Sequence, residues 1–260
     1  MLARLAILGL AGAASALANA QCGAVLKNDG EPVGEFKDVN GTQIYHSYPT
    51  SGGSNTTAIL YLTDIFGVPN PQAKLLADSL ATAAYTVIMP DLFKGDPVPL
   101  DALEGPGLNL TDWVARHPQE EVDAIIEATI AYIHTTLSIP KIAAVGYCFG
   151  GKYVPRHMTA SSGGIDIGFI AHPSNLLPAE IEAIAGPISI AAGELDATYN
   201  ATHRNTAEDI LMSKNLTFEA SLYSGAPHGF GVKVDWAVRE QRYAKTAAFE
   251  QALRWFGFWA

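Results

Sequence analysis

Gly146-Tyr147-Cys148-Phe149-Gly150-Gly151 follows the apolar run Ile142-Ala143-Ala144-Val145 and leads into Lys152-Tyr153-Val154. A strand that ends this way turns sharply into a helix, and a side chain at the apex of such a turn projects away from the sheet. The flanking glycines let the backbone pass without Cβ collisions. Cys148 holds the apex, so the stretch reads as a nucleophile elbow with sulfur as its reactive atom. The turn also sets the Phe149 N–H at a helix N-terminus, aimed where an oxyanion forms. The bland alternative is a buried strand-end cysteine beside ordinary turn glycines, and residues further along the chain bear on the choice.

Outward from the elbow, apolar runs alternate with helix-like stretches, the signature of βαβ units and a largely parallel sheet. Strands are expected at 58–63, 86–89, 142–147, 167–171, 188–192 and 217–223, and helices at 72–84, 120–137, 152–160, 179–184, 201–214 and 239–256. Residues 34–48 alternate apolar and polar around Asn40-Gly41, a turn dipeptide that predicts an antiparallel hairpin before the parallel section. The expected fold class is α/β, a mostly parallel central sheet flanked by helices, with an N-terminal antiparallel hairpin. Residues 51–55 read as a flexible surface link. Residues 94–106, rich in Pro, Asp and Gly, follow the second core strand and are a candidate lip of the binding crevice.

A cysteine at an elbow needs a base, and the base needs a group to orient it. The run Pro187 to Ala192 leads into Gly193-Glu194-Leu195-Asp196, placing Asp196 just past a strand end. The last strand opens into Ser224-Gly225-Ala226-Pro227-His228-Gly229-Phe230, a glycine-flanked loop carrying His228. The order Cys148, Asp196, His228 is that of α/β-hydrolases. Glu194 is the alternative acid. His203 falls in a helix and His157 points off the helix after the elbow. His172, in Ala171-His172-Pro173-Ser174, ends the next strand and is either a pocket residue or a hydrogen-bonded structural one. Leu62-Thr63-Asp64-Ile65 ends the first core strand, so the Ile65 N–H is the expected second oxyanion donor. Asp64 would lie near the thiol, where like charge raises the pKa of one of the two groups; alternatively it only caps the following turn.

These segments together resemble the dienelactone hydrolase family, notably its fungal branch. The matching residues are Leu62-Thr63-Asp64-Ile65-Phe66-Gly67, Met89-Pro90-Asp91-Leu92-Phe93, Gly146 to Lys152, Ala171-His172-Pro173-Ser174, Gly193 to Asp196 and His228-Gly229-Phe230. The resemblance implies an α/β-hydrolase fold and a Cys148-Asp196-His228 triad acting on small esters or lactones, with no metal or organic cofactor. Members similar to the bacterial enzymes carry a glutamate at the Asp64 position, which holds the resting thiol. They also bind a substrate carboxylate with arginines after the Pro-Asp-Leu and His-Gly/Ser-Phe segments. Here those neighbourhoods read Phe93-Lys94-Gly95-Asp96 and Phe230-Gly231-Val232-Lys233, without arginine. Lys94 or Lys233 would supply a point charge there instead of a bidentate fork.

The remaining features bound compartment and partners. The chain has 260 residues with 48% hydrophobic and 16% charged residues, a globular composition. Its net charge of −10, without clustered Lys or Arg, argues against nucleic acid. Residues 1–20 read as an export signal: Arg4, then an apolar stretch, then Ala18-Asn19-Ala20 before Gln21. A membrane anchor is the alternative. Residues 21–260 are then one secreted domain, a monomer or weak homodimer. Asn40, Asn55, Asn109, Asn200 and Asn215 stand in N-x-S/T sequons and are glycosylation candidates. The only cysteines are Cys22 and Cys148, and their pairing in a disulfide is the alternative to a free nucleophile. A glutamine amidotransferase shares the G-x-C-x-G turn but needs an H-x-E triplet, which the sequence lacks. A secreted scaffold that binds small molecules without turnover is the reading from another class.

Overall fold

Eight strands form one sheet: β1 (Glu35–Val39), β2 (Thr42–Ser47), β3 (Thr57–Leu62), β4 (Thr86–Pro90), β5 (Lys141–Tyr147), β6 (Ile167–Ala171), β7 (Ile188–Gly193) and β8 (Phe218–Tyr223). Their order across the sheet is β1-β2-β4-β3-β5-β6-β7-β8. In this computed structural model the described residues are 24–50, 52–102, 108–161 and 164–260. The expected signal, Cys22 and part of the 94–106 lip lie outside them.

The first two strands form the expected hairpin. Asn40 and Gly41 sit at φ 53° and φ 86°, and Val39 pairs directly with Thr42. Two successive left-handed residues match the right-handed twist of the flanking strands. Strand β2 runs antiparallel to β4, and every later neighbour pair is parallel.

Interior parallel strands are covered on both faces, which is why β3, β5, β6 and β7 are almost wholly buried, whereas β8 at the sheet edge is only partly buried. The seven helices among the described residues are α1 (Pro71–Ala81), α2 (Leu110–Arg116), α3 (Gln119–Thr135), α4 (Phe149–Arg156), α5 (Pro178–Glu182), α6 (Ala201–Ser213) and α7 (Arg239–Trp259). Strand β3 shows the division of the core. Ala58, Leu60 and Leu62 belong to one buried cluster with Ile126 of α3, Val154 of α4 and Leu211 of α6. Ile59 and Tyr61 pack on the other face with Leu76 of α1 and Phe256 of α7. Burying each such large side chain contributes about 1.5–3 kcal/mol before chain entropy is subtracted. This two-sided core fixes the sheet, and the carboxyl ends of its parallel strands open on one crevice.

Two elements differ most from expectation. Helix α4 begins at Phe149, three residues earlier than the glycine pair suggested, and ends at Arg156. The glycines around the turn serve close packing and not only turn flexibility. A Cβ on Gly150 would stand 2.2 Å from the Leu62 carbonyl oxygen, and one on Gly146 would stand 2.5 Å from Gly150 O. Helix α2 was not expected at all. Asn109 caps it by accepting from the Asp112 N–H at 3.2 Å, a capping role that its sequon reading masked.

Candidate active site

The elbow is built by three backbone restraints. Cys148 N–H donates to Ala171 O at the end of β6, Gly150 N–H donates to Thr63 O just past β3, and Gly151 N–H donates to Cys148 O. They hold Cys148 at φ 51°, ψ −109°, a conformation that a β-carbon disfavours and that persists only under such restraint. The Phe149 N–H has no acceptor among the described residues. Its ring is wedged against Phe93 at 5.2 Å, Trp113 at 5.9 Å and Tyr153 at 5.0 Å between centroids. The unexpected α2 therefore supplies, through Trp113, one wall that orients the elbow.

Three side chains from three strand ends meet in a line. Cys148 Sγ lies 3.0 Å from His228 Nε2, and His228 Nδ1 lies 2.9 Å from Asp196 Oδ2. The Asp196 side chain is fully buried. Its other oxygen accepts from the Thr198 and Tyr199 N–H groups at 2.8 and 3.1 Å, which pins the carboxylate and leaves one oxygen for the histidine. Burial works against charge on Asp196, but His228 and these two N–H groups outweigh it and hold its pKa below the ordinary value. Burial likewise opposes an imidazolium at His228. The hydrogen bonds to Asp196 and Cys148, with the charges on both, prevail and push it up to about 10. Glu194, the alternative acid, is turned outward to Ser224 Oγ and the Gly225 N–H.

Two residues near this line were not resolved by sequence. Ser174 Oγ lies 3.3 Å from Cys148 Sγ and 3.3 Å from His228 Nε2, a contact that only the fold creates. His172 is fully buried behind the site, its ring edge-on to His228 with centroids 5.2 Å apart. Both of its ring nitrogens lack a partner among the described residues. Burial, reinforced by the charge on His228, brings it down to about 3, so it stays neutral. His172 touches the histidine and not the cavity, which corrects its expected place as a pocket residue.

Asp64 does both things considered for it. It caps its own turn by accepting from the Phe66 N–H at 3.0 Å, and it lines the cavity beside Cys148. Burial raises it from 3.8 to about 6, with the His228 charge acting in the opposite sense. The expected rise is therefore present, but its source is burial and not repulsion by the sulfur. A carboxyl with a raised folded pKa stabilises the fold below its unfolded pKa and loses that contribution as pH rises through the folded one. Above about pH 6 the buried charge is a standing cost. Asp64→Asn is expected to stabilise the protein by roughly 2–3 kcal/mol near pH 8, with no gain below about pH 4. Thermal unfolding at the two pH values checks this; equal gains at both would contradict it.

The cavity above the sulfur has a volume of about 460 Å³ and is walled chiefly by Ile65, Phe66, Val232 and Val234. Leu100, half exposed, brings the 94–106 segment to its mouth as expected. Val98 N–H donates to Ile65 O and ties that segment to the loop bearing the second expected oxyanion donor. Lys94 is not at the cavity. Its ammonium pairs with Glu121 at 2.7 Å on the outer surface, so the expected substrate-binding role does not fit it. Lys233 lines the cavity instead. Among the described residues, no group of three or more His, Cys, Asp and Glu is placed to hold a metal ion. No helix among them is long and apolar enough to cross a membrane.

A side chain lifted off a strand-to-helix turn, facing a histidine oriented by an acid two strands further along the sheet, on this sheet order, defines an α/β-hydrolase. The family model for the dienelactone hydrolase family matches residues 43–259. The chain belongs to that family, and with it to the enzymes that hydrolyse carboxylic esters and lactones. It is 41% identical over 239 residues to hydrolase tropI of Talaromyces stipitatus, covering 88% of this chain and 92% of that one. It is 38% identical over 229 residues to hydrolase pyvD of Aspergillus violaceofuscus, covering 88% and 91%. Among solved structures, a dienelactone hydrolase from Anabaena variabilis superposes with a TM-score of 0.64 at 15% identity, covering 88% of this chain and 99% of that one. That last likeness is one of fold.

Proposed function

We propose that the protein is a secreted, cysteine-dependent hydrolase of small, uncharged esters or lactones. The observation that carries the mechanism is the unbroken line Cys148 Sγ, His228, Asp196, with contacts of 3.0 and 2.9 Å. His228, held by Asp196, keeps a proton beside the sulfur, since thiolate is the reactive form. Sulfur attacks the carbonyl carbon, and the N–H groups of Ile65 and Phe149 receive the developing oxyanion. His228 then gives its proton to the leaving alkoxide and takes one from the water that cleaves the thioester. A lactone opens to a hydroxy acid, or to a keto acid if it is an enol lactone.

The preference for uncharged substrates rests on what faces the cavity. Its walls are largely apolar, Asp64 and Asp235 line it, and Lys233, the one lysine or arginine lining it among the described residues, is exposed to solvent. A carboxylate substrate would meet like charge without a buried guanidinium. The test is a panel of aryl esters and lactones, each neutral compound paired with its carboxylated analogue, assayed with wild type and Cys148→Ala. Neutral members should turn over faster. Activity confined to carboxylated compounds would refute the substrate class.

Export is supported by the Arg4 to Ala20 pattern and by the position of the sequons. Asn40, Asn55, Asn109, Asn200 and Asn215 are all exposed. Asn109 and Asn200 cap helices through their Oδ1 atoms, so a glycan on Nδ2 leaves the caps in place. Protein made in a eukaryotic secretory host is expected to lose mass on enzymatic removal of N-glycans and to begin at Gln21. An unmodified protein retaining Met1 would contradict this.

A further inference from the structure

Ser174 stands where it touches both partners of the reacting pair. Its hydroxyl lies 3.3 Å from Cys148 Sγ and 3.3 Å from His228 Nε2. Its backbone is clamped to the elbow as well, the Ser174 N–H donating to Cys148 O at 2.9 Å. The segment is bent to reach this place. His172 at φ 40° and Asn175 at φ 52° bracket Ser174 in the left-handed region, which costs free energy in residues carrying a β-carbon. Gly151 is bare where Pro173 crosses it, a Cβ there standing 2.9 Å from Pro173 Cα. A surface serine requires none of this.

Resting on the triad reading above, we propose that the Ser174 hydroxyl is a further catalytic group, donating a hydrogen bond to the sulfur whenever the sulfur is anionic. At rest the imidazolium Nε2–H and the Ser174 O–H both point at the thiolate. During attack the sulfur lone pair forms the C–S bond and the carbonyl π pair moves to oxygen. Collapse breaks the C–O bond, and the alkoxide takes the proton from His228. In the second half, water loses a proton to His228, its oxygen bonds to the acyl carbon, and the C–S bond breaks with its electron pair returning to sulfur. The departing thiolate is then held again by Ser174. The oxyanion donors act on oxygen; Ser174 acts on the leaving sulfur, so its effect falls on thioester hydrolysis and on the resting thiolate.

The variants that decide this are Ser174→Ala and the isosteric pair Ser174→Thr and Ser174→Val, which differ by a hydroxyl at constant volume. Two readouts are used: the pH profile of Cys148 alkylation by iodoacetamide, which needs no turnover, and the pre-steady-state burst with an activated aryl acetate. The titrating groups of this site, Cys148, His228, Asp196, buried His172 and cavity-lining Asp64, are all kept. Ala and Val should move the alkylation profile about one pH unit toward alkaline, the tenfold effect of one hydrogen bond to an ion. They should also slow the steady state after the burst about tenfold, while Thr stays near wild type. Val and Thr behaving alike, or an unmoved profile and burst in Ala, would overturn the role of Ser174 and leave the triad standing. Turnover surviving in Cys148→Ala would take down the triad and this inference together.

Discussion

Cys148→Ala is expected to lower turnover of neutral esters and lactones by at least about ten-thousandfold while leaving the fold and its unfolding temperature close to wild type. The size follows from how a triad works. Nucleophile, base and orienter act as one unit, so deleting the nucleophile forfeits nearly all that the set contributes. What survives is the effect of binding and of the oxyanion donors. The fold should tolerate the change because Cys148 is held by backbone bonds to Ala171 and Gly151 that its side chain does not make. Losing the sulfur relieves none of the strain at φ 51°, since alanine keeps the β-carbon. Steady-state assays beside circular dichroism and thermal unfolding check both halves. Activity within about tenfold of wild type would exclude sulfur as the nucleophile.

The second large effect is expected at Asp196. Asp196→Asn preserves the shape of the carboxyl and its two acceptor bonds from Thr198 and Tyr199. It nevertheless presents an N–H, in place of a carboxylate oxygen, to His228 Nδ1. The imidazole then loses both its preferred tautomer and the carboxylate that favours its charge. A fall in kcat of about a thousandfold to ten-thousandfold follows. The pH dependence should move too. In the wild type His228 is pushed up to about 10, with the Asp196 hydrogen bond the largest raising influence. The alkaline limb of kcat/KM is therefore expected near pH 10 in the wild type and at distinctly lower pH in the variant. An unshifted limb, with full activity, would show that another group orients the base.

The fold was legible because the chain's strongest signals are also its most buried parts. Strands packed on both faces are nearly all apolar, so β3, β5, β6 and β7 stand out as near-continuous runs. The hairpin was legible because Asn40-Gly41 suits a conformation few other pairs adopt. Chain order and loop chemistry brought Cys148, Asp196 and His228 forward, and their side chains do converge. What stayed hidden depends on neighbours distant in sequence. The start of α4 could not be read, because Gly150 is bare on account of Leu62 O, a contact made by another strand. Helix α2 is short and buries one side chain, Trp113, too few for a periodic pattern. Lys94 looked free until the fold brought Glu121 beside it. Ser174 sits 26 residues from the sulfur and 54 from the histidine it touches, and its motif neighbours gave no hint of that.

Each group around the sulfur is carried by a separate strand end: Asp64 and Ile65 beyond β3, Ser174 beyond β6, Asp196 beyond β7 and His228 beyond β8. The sheet beneath them is one continuous hydrogen-bonded body, while the walls of the cavity hang mainly from the loops after β3 and β8. The reacting groups sit at the strand ends themselves, whereas residues further out along the same loops shape the space for the acyl partner. Residues such as Leu100, Val234 and Gln241 can diverge among relatives and re-cut the guest that is accepted, without disturbing the atoms that break its bond.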